Sequence, residues 1–185
     1  MGNGSIDTSA RLSAAAAWEE LAAAVQVRPY LSGDATTLCS WVNEMGELFL
    51  VASETEERLT PAIVRRWVAT AAQSFVFELG GKLVAFATAS INEASLPAGT
   101  VEMCHLIVSP QLRRKYHGSF FCRWLARLLV AGAGYDVVVG RVVPGNEGIL
   151  GLMRYLRWKE VEDTHGWTEE GDFRWFVAPE SRRLP

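Results

Sequence analysis

The 185-residue sequence predicts an α/β (α+β) protein, a single domain with a central, mostly antiparallel mixed sheet flanked by helices. Three observations predict it. Two apolar strand-like runs, Ser74 to Leu79 and Lys82 to Ile91, are joined by the tight turn Gly80-Gly81, which is a hairpin signal. A third run, Thr100 to Val108, follows after a Pro/Gly loop. Beyond it the chain alternates strand, helix, strand, helix, then two closing strands.

The elements follow in order. Residues 1–7 read as a loose tail, and Thr8 to Val25 is rich in Ala and Leu and predicts a helix. This stretch, 1–25, precedes a body that spans 26–185. Gln26 to Leu31 suits a first strand. Asp34 is placed to N-cap a helix through Met45 that buries Leu38, Trp41 and Val42. Thr60-Pro61 opens a second helix, through Gln73, with Ile63, Val64, Trp67 and Val68 at helical spacing. After the three strands, a helix from His117 to Ala131 carries the rows Phe120, Trp124, Leu128 and Phe121, Leu125, Leu129. Gly132 and Gly134 end it. Asp136 to Val143 is nearly all apolar, as a strand covered on both faces must be. Pro144-Gly145-Asn146 starts a short helix to Leu156, and Trp158 to Glu162 and Asp172 to Val177 supply two closing strands. No repeat, low-complexity tract or linker divides the body.

Composition excludes several classes. With 49% hydrophobic and 21% charged residues the chain has the makings of a packed core rather than of a disordered segment. No apolar run reaches the roughly 20 residues that cross a bilayer. The Ala-rich start contains Trp18, Glu19 and Glu20 and lacks a basic leader, so a cytoplasmic protein is expected. Cys39, Cys104 and Cys122 match no zinc spacing and no disulfide framework, and no metal is expected. A net charge of −3 argues against broad nucleic-acid binding.

Against that acidic balance, one segment stands out. Between Gln111 and Arg127 there are five Lys or Arg residues and no acid. Arg113, Arg114 and Lys115 lie between a strand that ends at Ser109-Pro110 and a helix that opens near Gly118. A helix start offers N–H groups with no intrahelical partner and partial positive charge, so strand, cationic turn and helix make an anion site.

These residues resemble the signature of the GNAT acyl-CoA-dependent N-acetyltransferase superfamily. Its strand, Pro-containing turn and Arg/Gln-x-x-Gly-x-Gly/Ala loop are matched by Leu106-Ile107-Val108-Ser109-Pro110 and Arg113-Arg114-Lys115-Tyr116-His117-Gly118, with Ser119 next. Its second element, Asn-x-x-Ala with a helix ending at Gly-Phe, is echoed from Asn146 to Leu156-Arg157-Trp158. The resemblance covers about Val27 to Val177. It implies a parallel strand pair that splays apart to hold acetyl-CoA or another short acyl-CoA. Arg113, Arg114, Lys115, Tyr116, His117, Gly118 and Ser119 would then meet the pyrophosphate. The backbone of Leu106, Ile107 and Val108, with Asn146, would meet the pantetheine arm. Two positions depart from the pattern: Tyr116 replaces a glycine, and Met153 replaces the tyrosine that protonates the departing thiolate.

The activity implied is transfer of an acetyl group to a primary amine of a small molecule or protein, by direct attack on the thioester. The carbonyl would be polarised by the backbone N–H of Val108 or its neighbour. Glu102 and His105 are the candidate bases on the third strand, and their odd separation places them on opposite faces. A carboxylate in a semi-buried cleft gains basicity, which favours Glu102. Two rivals remain open: an acyl-CoA-binding regulatory protein without turnover, and a module that binds RNA or an acidic partner through its basic loop. Trp167 and Trp175 suit a core or a homodimer interface at least as well as an acceptor pocket.

Overall fold

The structure, a computed structural model, describes residues 19–44, 58–92, 96–113, 117–162, 167 and 173–182. Residues 19–24 are helical, and the first strand, β1 (Val25–Arg28), starts one residue before the expected position. The rest of the expected Thr8–Val25 helix lies outside the described residues. Then come α1 (Asp34–Asn43), α2 (Pro61–Thr70), β2 (Gln73–Leu79), β3 (Lys82–Ser90) and β4 (Thr100–Val108). A 3₁₀ turn at Pro110–Leu112 leads to α3 (His117–Arg127), whose last turn widens into a π segment, Leu128–Gly132. β5 (Val137–Val142), α4 (Glu147–Tyr155), β6 (Lys159–Glu160) and β7 (Arg174–Val177) complete the chain.

The local chemistry explains most boundaries. Thr60 caps α2 by accepting from the Ile63 N–H, with Pro61 at the first helical position. Asn146 caps α4 in the same way through Ile149. Asp34 does not cap α1. Gly33 holds the cap position, and the Asp34 carboxylate instead takes two nitrogens of Arg28 at 2.8 Å and the Leu31 N–H at 2.7 Å. A bidentate arginine outcompetes a helix N–H for that carboxylate, and the pairing ties β1 to α1. The second helix ends at Thr70 because Gln73 already pairs with Ala89 in the sheet. The strand expected at Trp158 to Glu162 shrinks to Lys159–Glu160, and Trp158 packs in the core.

The seven strands form one sheet in the order β1-β2-β3-β4-β5-β7-β6. Every pairing is antiparallel except β4 with β5. Gly80 and Gly81, both at positive φ, make the β2–β3 hairpin turn that was read from the sequence.

Each face of the sheet is covered differently. On one face α3 and α4 press Phe120, Phe121, Leu125 and Met153 against Phe77, Val101 and Val138. On the other, α1 and α2 press Leu38, Val42, Val64 and Trp67 against Val76, Phe86 and Ile107. Farther along that second face, Val137, Val139, Trp167, Trp175 and Val177 form a separate cluster. Phe77, Phe86, Phe120 and Phe121 are fully buried. Each contributes about 3 kcal/mol relative to an exposed ring, which makes these two layers the main source of stability. The strip between the two clusters on the second face is polar, and it holds the candidate site.

Candidate active site

Among the described strands the sheet opens at its one parallel pair. β4 and β5 are in register only over Thr100↔Val137, Val101↔Val138 and Glu102↔Val139, yet β4 continues to Val108 and β5 to Val142. Beyond Glu102 each strand therefore turns a row of backbone groups toward a gap. The Ser109 N–H donates to Val84 on the β3 side. Backbone groups alternate every residue along a strand, so those of Val108, and of Leu106 before it, turn toward the gap. The carbonyl of Val108 accepts there from Nε of Arg113 at 2.8 Å. Ile107 points its side chain instead into the α1–α2 core.

A bulge in β4 builds the floor of the opening. The β3–β4 register shifts between Phe86 and Thr88, and His105 takes φ 52°. An extra residue breaks the two-residue alternation. Glu102 and His105, expected on opposite faces, therefore share the second face. Glu102 stands opposite Ser90 and meets Nε of Arg141 on β5 at 2.8 Å. His105 meets Thr88 Oγ1 through Nδ1 at 2.8 Å and stacks on Trp67 of α2, with ring centroids 4.1 Å apart. Cys104 lies between them, its Sγ 3.7 Å from the Glu102 carbonyl.

Electrostatics separates these groups. Burial raises the Glu102 carboxyl above the ordinary carboxylate value, and the Arg141 charge offsets only part of that rise. Burial also pushes the Cys104 thiol far up, with the Glu102 charge adding to it, so Cys104 is a packed thiol and not a nucleophile.

The loop above the opening is described in part. Arg114, Lys115 and Tyr116 lie outside the described residues. His117 begins α3, with its Nδ1 buried and, among the described residues, without a hydrogen-bond partner. At Gly118 no described atom lies within 4 Å of where a Cβ would stand, so the fold itself does not require glycine there. Ser119 is buried at the first turn. Across the gap, Asn146 is buried at the α4 start. Met153 packs into the core beneath the sheet at 4% exposure, whereas Tyr155 is 61% exposed.

The sequence over residues 37–156 matches the model of the Acetyltransferase (GNAT) family. The chain belongs to the GNAT acetyltransferase family. The solved structures most like this GNAT domain include an N-acetyltransferase from Staphylococcus aureus Mu50, at 18% identity, TM-score 0.61, and coverage of 85% of this chain and 99% of that one. The ribosomal-protein-S18-alanine N-acetyltransferase from Escherichia coli aligns at 15% identity and TM-score 0.60, over 85% of this chain and 94% of that one. The GNAT domain of PAT from S. lividans aligns at 16% identity and TM-score 0.62, over 83% and 89%. At such identities the likeness shows the fold. No curated protein is significantly similar in sequence.

Sequence reasoning missed three site residues. Thr88 and Trp67 hold His105 but read as ordinary strand and helix-stripe residues. Arg141 had a visible signal, since it is the one charged residue in the run Val137–Val142.

The site fits an acyl-CoA. A peptide-like arm finds paired edges of backbone polar groups along β4 and β5. An anionic end finds the first turn of α3, where no described atom lies within 4 Å of a Cβ at Gly118 and the helix presents its positive pole. Among the described residues no group of three or more His, Cys, Asp or Glu side chains is placed to hold a metal ion.

Proposed function

We propose that the protein is an acyl-CoA-dependent N-acyltransferase that moves an acetyl group to a primary amine. One observation carries this reading. The sheet parts beyond Glu102 and Val139, which opens backbone edges beneath a helix start whose first turn is bare of side chain at Gly118.

Bound acetyl-CoA supplies the thioester carbonyl that is attacked. Leu106 and Val108 bind its arm through their backbone groups, and the Val108 N–H or its neighbour polarises the carbonyl oxygen. His117, Gly118 and Ser119, with Arg113, Arg114, Lys115 and Tyr116 before them, hold the pyrophosphate. Asn146 keeps its cap and meets the arm at the start of α4. Glu102 takes a proton from the amine as the C–N bond forms, and the C–S bond breaks to release the thiolate. A thiol of ordinary pKa near 8.5 is a tolerable leaving group, so the thiolate collects its proton from solvent where Met153 replaces tyrosine. His105, oriented by Thr88 and Trp67, stands on the same face to position the amine or to share the proton.

The test is release of free thiol from acetyl-CoA in the presence of a panel of amines. Release that depends on both amine and protein supports the reading. Tight binding of coenzyme A with no release by any amine moves the protein to the regulatory class. Salt-dependent RNA binding untouched by coenzyme A would remove the loop assignment altogether.

A further inference from the structure

Arg141 is out of place in its strand. β5 lies inside the sheet, between β4 and β7, and its other residues are Val137, Val138, Val139, Gly140 and Val142, all buried. Arg141 alone is exposed, with 40% of its side chain reached by solvent. A cation on an interior strand needs an uncovered patch above it, and this one lies past the last β4–β5 pair, on the lip of the opening. Its guanidinium sits over the Phe173 ring at 5.1 Å, an arrangement that holds the fork flat.

Among the described residues Arg141 has one ionic partner. Nε of Arg141 meets Oε1 of Glu102, whose side chain is only 9% exposed. That oxygen is buried and receives no well-aligned hydrogen bond. Among the described residues, no hydrogen bond engages the two terminal nitrogens of Arg141. Those nitrogens and Nε form the planar fork that matches a carboxylate in two parallel bonds. The pair is thus close in distance but incompletely satisfied on both sides. An ion pair with one exposed partner and such geometry adds little to fold stability, because solvent screens the guanidinium and desolvation of the carboxylate offsets part of the attraction.

We propose that Arg141 is the anchor for a carboxylate on the acceptor, and that the acceptor is a free α-amino acid. This rests on the acyltransferase reading of the opening. The arrangement of charge selects the class. An α-amino acid carries its ammonium and its carboxylate on one carbon, so its two charges are about as close as those of the pair they replace. The carboxylate takes the Arg141 fork, and the amino group goes to Glu102, the group assigned to receive its proton. One internal ion pair is exchanged for two across the site, each with better geometry. An amine without a carboxylate leaves Arg141 and Glu102 bound to each other, which holds the base away from the amine.

Calorimetry on the full chain loaded with coenzyme A tests this with matched probes: leucine beside isoamylamine, phenylalanine beside phenethylamine, and alanine beside ethylamine. The amino acid of at least one pair is expected to bind about 10- to 100-fold more tightly than its amine, the worth of a charge-assisted bidentate contact. Arg141→Met should erase that ratio, and Arg141→Lys should retain part of it. The amine of each pair, measured in the same variants, reports separately any change at Glu102 itself. Unchanged melting temperature of the variants shows that the fold is kept. Equal affinity within every pair, or no binding of any probe, overturns the proposal. Discrimination that persists without thiol release leaves the carboxylate anchor standing and sinks the acyltransferase reading instead.

Discussion

At the scale of single residues, the two candidate bases have opposite liabilities. Glu102 is buried, and burial outweighs Arg141 to raise its carboxyl above the ordinary glutamate value of about 4.3. A base must be ionised to act, so the acid limb of the kcat/KM profile is expected above that ordinary value. Glu102→Gln should lower thiol release about 100-fold and remove the limb, whereas a purely structural Glu102 would leave the limb in place. Stability moves the other way with pH. The raised value means that the native state favours neutral Glu102, so its contribution is greatest in acid and is lost as pH rises through the raised pKa. Urea midpoints at about pH 5 and about pH 8 should therefore differ less in Glu102→Gln than in the parent protein. His105 depends on its neighbours. Thr88→Val keeps the volume of a fully buried side chain but removes the 2.8 Å contact to Nδ1. A roughly 10-fold loss of rate with little change in KM is expected if that contact orients a working imidazole.

At the scale of elements, α3 and α1 separate binding from folding. Gly118→Ala adds a methyl that meets no described atom, in a helical turn where alanine is the better helix former. Stability is expected to hold or rise by less than about 1 kcal/mol, while coenzyme A affinity falls at least about 10-fold by calorimetry. A variant that binds normally would show that nothing approaches this turn closely. Asp34 is the structural counterpart. Burial pushes its carboxyl up, but Arg28 and the Leu31 N–H more than reverse this and hold it below the ordinary aspartate range. Its stabilisation is thus present above the ordinary pKa and lost as pH falls through the depressed one. Asp34→Ala should cost about 2 kcal/mol by denaturant titration, since it leaves a part-buried arginine without its bidentate partner. These elements also show what the sequence could reveal. The Gly80-Gly81 hairpin, the Thr60-Pro61 start and the double row on α3 declare themselves within a few residues. The Arg28–Asp34 pair, the β4 bulge at His105 and the Glu102–Arg141 contact do not. Each depends on register between strands or on a competition for one carboxylate, and neither is encoded in local periodicity. The same bulge placed both candidate bases on one face, where simple alternation separates them.

At the scale of the whole molecule, the opening divides the sheet into two parts joined by a short hinge. β1 to β4 carry α1 and α2, while β5, β7 and β6 carry the Trp167–Trp175 cluster. Among the described residues the two parts are joined by three β4–β5 register pairs, the Glu102–Arg141 ion pair and the α3–α4 layer beneath them. A ligand whose arm bonds to both β4 and β5 supplies the strand contacts that the sheet lacks there, so it binds the native state and has no counterpart site in the unfolded chain. Linkage then fixes the size of the effect. Acetyl-CoA at about 100 times its Kd adds about 2.7 kcal/mol, which for a chain of this length corresponds to a rise in Tm of roughly 5–11 °C. The rise should shrink in Gly118→Ala in step with the loss of affinity, and it should be insensitive to Glu102→Gln, which touches the acceptor side alone. Hydrogen exchange locates it. Protection should increase in the amides of Leu106 and Val108 and along β5 beyond Val139, and should be unchanged in the β2–β3 hairpin. A Tm rise with uniform protection across the sheet would mean that the ligand stabilises the molecule from some place other than this opening.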